Sequence, residues 1–270
     1  MNNIPEMKRT INTLYEPNED FEIRIVTPKP SSYHFNCGSV AAGLERFTNE
    51  MLYIVMNPVK ASPKGATKDR DIAYRRWLLI DVDPERQKDV SSTDTEKAEA
   101  EQICGNVREF LTEKGFPEPI HADSGNGFHL LYRLDDLPND ATTKDLINGF
   151  LRGLSEKFTN DKVKIDTCVS NASRITKLYG TFARKGKNTS ERPHRQSRLL
   201  HVPEVFRHVK ADLLSKVQHS SNNIFSTINN NYTKVSGNNQ YFDDGLKHDQ
   251  VLKAYWDGNR PTGNESDDDM

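Results

Sequence analysis

At 270 residues, with 34% hydrophobic and 28% charged side chains, the chain is long enough to bury a core in one or two domains. No apolar run approaches the roughly 18 residues of a membrane span, and the opening MNNIPEMKRT lacks the apolar centre of a secretion signal, which excludes a helical membrane protein and predicts a cytoplasmic one. A net charge of -2 would disfavour a polyanion partner only if it were evenly spread, and it is not.

The first strand is expected at Phe21 to Val26, where FEIRIV alternates, closed by Pro28 and Pro30. A short helix is predicted over Ser39 to Phe47, a buried strand over Leu52 to Met56, and a loop rich in Pro, Gly and Lys from Ala61 to Arg70. The run WLLIDVD from Trp77 to Asp83 follows as a strand ended by Pro84, which has no amide for the ladder. From Ser91 to Lys114 the period becomes helical, with Ser92 or Thr93 as cap, Ala100, Ile103, Val107, Phe110 and Leu111 as core, and Gly115 as terminator. Short strands at Pro119 to Ala122 and Phe128 to Leu134 flank a glycine turn, and Thr142 to Phe158 is a second amphipathic helix. Strands at Val163 to Asp166 and Arg174 to Tyr179 complete the pattern. Strand, helix, strand, turn, strand, helix, strand predicts an α+β fold, an antiparallel or mixed sheet with two helices on one face. This is the split βαβ arrangement of ferredoxin-like and RRM-like (RNA-recognition-like) folds, with the other face free for a ligand. Pro203 to Val217 is predicted helical, Gln218 to Gln240 is rich in Asn and Ser and reads as a linker, and Tyr241 to Trp256 reads as helical before the acidic end ESDDDM. Cys37, Cys104 and Cys168 are far apart and in no paired motif, so three reduced, mostly buried thiols are expected rather than a zinc site.

Three stretches carry chemistry. Alternation along a strand puts Asp81 and Asp83 on one face, roughly 6 to 7 Å apart at the backbone, close enough to converge on hard divalent cations. In DSGNGFHLLY, Gly125 and Gly127 permit a tight turn whose amides can approach a phosphate, and His129 emerges on the strand that follows. This is not a dinucleotide fingerprint, because Leu130 stands where its third glycine belongs. In KIDTCVSNASRITKLYGTFARKGK, Asp166 ends one short strand while Arg174 and Lys177 begin the next. Its glycines do not form a nucleotide P-loop, since Asn188 replaces the needed hydroxyl. From Arg174 to His201 the only acid is Glu191, against Arg174, Lys177, Arg184, Lys185, Lys187, Arg192, Arg195 and Arg198. A basic segment beside an acidic pair suits a phosphate-rich ligand.

In this order, a DxD strand, an SGxGxH turn and a lone Asp before a basic strand resemble the archaeo-eukaryotic primase (AEP) superfamily, specifically the primase-polymerase domains of bacterial plasmids, phages and integrated elements. Its acidic pair is matched by Asp81 and Asp83, its small-residue-x-His motif by Ser124 to His129, and its third acid by Asp166, over about Phe21 to Leu200. Two departures stand out: Gly127 fills the small-residue slot with Ser124 further back, and RITKLYGT keeps Arg174 but has Tyr179 where the family's Leu-Pro-Gly-Thr element has Pro.

The resemblance implies a catalytic domain over residues 1–205, with an RRM-like core at about 72–200 and an N-terminal α/β subdomain. It is followed by a helix at 206–218, a linker at 219–240, and, at 241–270, the start of a truncated C-terminal helical module. It implies DNA primase or primase-polymerase activity: template-directed nucleotidyl transfer from NTP or dNTP, with Asp81, Asp83 and Asp166 holding Mg2+ or Mn2+ as catalytic and metal-binding residues. Ser124, Gly125, Gly127, His129, Arg174 and Lys177 would bind the nucleotide. Arg184, Lys185, Lys187, Arg192, Arg195 and Arg198 would carry a single-stranded DNA template. A replicative helicase is the implied companion, by family analogy alone. Two alternatives stay open on the residues: a metal-dependent nuclease or replication initiator, which would want a Tyr beside a His-apolar-His pair that this sequence lacks, and an inactive single-stranded-DNA-binding domain.

Overall fold

The computed structural model describes residues 1–38, 43–60 and 63–217; the expected linker and C-terminal module lie outside the described residues. The chain opens with α1 (Ile4–Leu14), which the sequence reading missed. The Asn3 side chain caps it by accepting from Glu6 N, Pro5 sits in the first turn, and Met7, Ile11 and Leu14 form its buried stripe. Next come β1 (Asp20–Ile25), β2 (Ser31–Asn36) and β3 (Leu52–Val55), of which β2 was also unforeseen. The helix expected over Ser39 to Phe47 is instead, among the described residues, a 3-10 turn at Leu44–Arg46.

The central run is β4 (Tyr74–Pro84), α2 (Asp94–Glu113), β5 (Ile120–Asp123), β6 (Phe128–Pro138), α3 (Ala141–Phe158) and β7 (Val163–Ile165). With β11 (Arg198–His201) these strands form one antiparallel sheet in the order β11-β5-β6-β4-β7. Because β6 lies between β4 and β5, the arrangement is the split βαβ unit that the alternation predicts. Thr93 and Glu96 close a capping box at the start of α2, and Asp140 caps α3 by accepting from Thr143 N. Both helices pack on one sheet face, where Tyr132 and Phe150 meet across Phe116 and the fully buried Leu78, Ile80 and Val82 belong to the same core.

The opposite face is not bare, as had been expected. At its Trp77 end the indole donates to Leu14 O at 3.1 Å, so α1 closes that end. At its Asp81 end a second sheet stands across a cavity. This sheet has the order β2-β1-β3-β8, and β8 (Ile175–Lys177) pairs with β3 rather than joining the central sheet. The N-terminal strands make a sheet of their own that takes in one strand from beyond the third acid, and their apolar side chains join the continuous core. A two-stranded hairpin, β9 (Phe182–Ala183) and β10 (Arg195–Gln196), carries the basic segment. The predicted helix over Pro203 to Val217 shrinks to α4 (Ala211–Ser215). Val209 N is taken by Arg133 O and Val209 O by Asp135 N, so the chain before α4 is held in extended form along β6. Of the thiols only Cys104 is fully buried; Cys37 is half-buried and Cys168 exposed, against expectation. No helix among the described residues is long and apolar enough to cross a membrane.

Candidate active site

The site begins with the pairing of β4 and β6. Asp81 stands directly opposite His129, and two residues further along β4, just past the last pair of the ladder, Asp83 lies beside Gly127. Directly opposed residues of an antiparallel pair share a face, so one pairing assembles both acids, the imidazole and a position without a side chain. A Cβ on Gly127 would lie 2.3 Å from Val82 O and 2.5 Å from Asp83 Oδ1. Glycine is required here by close approach, and it leaves room for the second carboxylate.

Asp81 Oδ1 sits 3.4 Å from His129 Nε2 yet accepts no hydrogen bond, which leaves a buried carboxylate oxygen without a donor. His129, 5% exposed, places Nδ1 2.9 Å from the Tyr179 hydroxyl and 3.3 Å from Thr176 Oγ1. Burial opposes its charge, but Asp81, with Asp83 and Asp123 behind it, outweighs burial and raises the imidazole pKa. Burial likewise opposes the Asp81 charge, and His129, Lys185 and Arg174 prevail to lower its pKa. Asp83 goes the other way: burial and the neighbouring Asp81 charge raise it despite Arg86, Lys185 and His129. Two neighbouring carboxylates shifted in opposite directions titrate as a pair.

Asp166 follows β7, its amide donating to Asp81 O at 3.0 Å, and it lines the same cavity of about 340 Å³ as Asp81, Asp83 and His129. Its Oδ1 accepts from Cys168 N at 2.7 Å and caps the turn Thr167–Val169. The expected gathering of three acids at one point is therefore incomplete. Among the described residues no three His, Cys, Asp or Glu side chains are close enough together to hold a metal ion as they stand. The Asp81 and Asp83 pair nevertheless fits a divalent cation of the Mg2+ or Mn2+ kind, because such ions are commonly held by one or two carboxylates and complete their shell with substrate phosphates.

The glycine turn is built differently from the sequence expectation. Gly125 N donates to Asp123 Oδ1 at 2.7 Å and Gly127 N to Ser124 Oγ at 3.0 Å, so these amides are spent inside the turn rather than offered to a phosphate. Ser124 and Asn126 line the cavity, whereas Gly125 is wedged against Ala183, where its Cβ would meet that residue's Cβ at 2.6 Å.

Across the cavity, Arg174 donates to Cys168 O and Lys177 donates to Phe182 O at 2.8 Å while lying over the Tyr53 ring. Burial first, then Arg184 and Lys185, push the Lys177 pKa down to about 7. Since the unfolded lysine titrates near its ordinary value, the folded chain sheds this proton first, and stability attributable to Lys177 rises with pH across that window. From pH 7 to pH 9, denaturant unfolding should show the wild type gaining roughly 2 kcal/mol relative to Lys177→Met. A constant difference would mean that Lys177 is not held in this state.

The expected DNA-binding stripe divides in two. Arg192 makes a two-pronged pair with Glu96, at 2.7 and 2.9 Å, and Arg195 pairs with Asp94 at 2.6 Å, so both staple the hairpin to the start of α2. The first-turn acids of α2 lie within their reach. Arg184 is anchored to Asn49, and Arg198, 3.8 Å from Asp123, points largely into solvent. Lys185 and Lys187 are exposed, and Lys185 also lines the cavity. Tyr53, Thr176 and Tyr179 were missed. Tyr179 anchors His129 from 50 residues away, a contact with no local signal.

No protein-family model matches the chain, and none of the curated proteins is similar to it in sequence. Solved structures are similar in fold. The AEP domain of a cyanophage S-2L primase-polymerase matches with a TM-score of 0.49 and 13% identity, over 81% of this chain and 99% of that one. The primase RepB' matches with a TM-score of 0.48 and 10% identity, over 85% of this chain and 66% of that one, so the chain spans just under two thirds of its length. The catalytic domain of RepB' in complex with initiator DNA matches with a TM-score of 0.45 and 10% identity, over 83% and 98%.

Proposed function

We propose that this chain is a DNA primase of the primase-polymerase kind, joining nucleotides on a single-stranded DNA template. The observation that carries the reading is the pairing of Asp81 with His129 and the close approach of Gly127 to Asp83, in a cavity lined by both carboxylates and by Arg174, Lys177 and Lys185. An acidic pair facing cations across a cavity suits a reaction between a strand end and a triphosphate.

In this reading Asp81 and Asp83, with Asp166 lining the same cavity, would hold Mg2+ or Mn2+, which would supply charge neutralisation at the α-phosphate and lower the pKa of the strand's 3'-hydroxyl. The chain's own residues do the rest. His129, fixed by Tyr179 and Thr176, stands with Nε2 3.4 Å from Asp81 Oδ1, and this carboxylate favours the protonated ring. Arg174, Lys177 and Lys185 draw the triphosphate into the cavity, and the Ser124 hydroxyl and Asn126 offer polar contacts at its rim. The 3'-oxygen attacks the α-phosphorus, the bond to the β-phosphate oxygen breaks, and pyrophosphate leaves. Lys185, Lys187 and Arg198 attract the template backbone in a salt-sensitive way.

The test is to incubate the chain with unprimed single strands, labelled nucleotides and Mg2+ or Mn2+. New labelled strands support the proposal. A shortened template means a nuclease, and a salt-sensitive shift of the strand without synthesis means a binding domain; either outcome overturns it.

A further inference from the structure

A second groove, of about 380 Å³, opens beside the catalytic cavity between the chain from Ile25 to Ser31 and the run from Asn49 to Met51. The two hollows share Thr27, Met51 and Arg184 along a common rim. Ile25, Pro28 and Met51 give the groove apolar walls, and Val26 stands at the cavity side of the rim, 39% exposed where most large apolar side chains of the described residues are covered. Two cations line it. Lys29 belongs to the groove alone, and Arg184 on the rim shared with the catalytic cavity is fixed by Asn49 O and Oδ1, with its guanidinium over the Phe182 ring at 5.1 Å.

Apolar walls together with two cations complement a nucleotide within a strand, which presents a flat, weakly polar base between two phosphates. An incoming triphosphate suits this groove less well, since its concentrated charge is matched by the cations of the main cavity. The groove also contains Glu50, which disfavours a bare polyphosphate further. We propose that this groove seats a nucleotide of the single-stranded template next to the catalytic cavity, its base against Pro28 and Met51 and its flanking phosphates on Lys29 and Arg184. The inference rests on the reading above that the chain copies a single strand.

The test measures binding of a fluorescent single-stranded oligonucleotide and, separately, of a fluorescent nucleoside triphosphate, to the whole chain and to Val26→Asp and Lys29→Glu. Both positions are solvent-facing, and thermal unfolding checks that each variant folds. Each substitution should weaken the oligonucleotide roughly tenfold, and Lys29→Glu should also flatten the salt dependence by about one unit of slope. For Lys29→Glu, whose side chain lies outside the main cavity, triphosphate affinity should change by less than about twofold. Unchanged oligonucleotide affinity in both variants overturns the groove while leaving the proposed function standing, and so does a fall in triphosphate affinity for Lys29→Glu that matches its fall in oligonucleotide affinity. A wild-type chain that binds neither probe overturns both.

Discussion

Asp83→Asn is expected to lower strand synthesis by at least about a thousandfold, the loss that follows when several kcal/mol of charge stabilisation are withdrawn from a transition state. The protein should melt at the same temperature as the wild type or slightly higher. Burial and the Asp81 charge raise the Asp83 pKa above its unfolded value. An acid shifted in that direction holds its proton longer in the fold, so at neutral pH its ionised form opposes folding, and a neutral amide removes the opposition. The measurement is the initial rate of nucleotide incorporation alongside thermal unfolding of the same sample. Activity lost together with several degrees of melting temperature would assign the loss to misfolding and deny Asp83 its place in the chemistry.

Gly127→Ala should destabilise the chain by about 2 to 3 kcal/mol, the usual cost of overfilling a packed position, which for a domain of this size corresponds to roughly 5 to 10 °C in melting temperature. The added methyl would enter a gap bounded by Val82 O, Asp83 Oδ1 and, at 3.1 Å, Asp83 Cα. Two of these atoms are backbone of the central strand, so the clash cannot be relieved by rotating a side chain; β4 and β6 must part, or Asp83 must leave its position. Synthesis should therefore fall even at temperatures where the variant is folded. Gly105→Ala is the matched control. Its Cβ would meet nothing within 4 Å on α2, and it should stabilise the chain by about 1 kcal/mol through helix propensity. Equal melting temperatures for Gly127→Ala and the wild type would contradict the close approach.

The central run from β4 to β7 was legible because each element carries its own period and its own punctuation. Apolar alternation ends at Pro84, Thr93 and Glu96 form a local cap, and Gly115 closes the helix. The shared face of Asp81 and Asp83 follows from strand geometry alone, and the register opposite His129 follows once β6 is paired with β4. What escaped the sequence depends on distant partners. Three residues, Ile175 to Lys177, carry no label naming their sheet, and β8 joins β3 because the chain crosses the cavity after Asp166. Arg192 and Arg195 look like free cations until Glu96 and Asp94 are brought beside them. The glycine turn looked like a phosphate cradle because its amides could not be seen to bond within the turn. α1 was overlooked although Asn3, Pro5 and the Met7, Ile11, Leu14 spacing announce it; that signal was present and unused.

Template copying at Asp81 and Asp83 is read out by offering an unprimed oligo(dT) strand to the chain with Mg2+ or Mn2+ and each of the four labelled nucleotides in turn. Only the adenine nucleotide should be built into longer products, and an oligo(dC) strand should switch the requirement to guanine. Incorporation that ignores the sequence of the strand, or no incorporation with any of the four, would contradict the account.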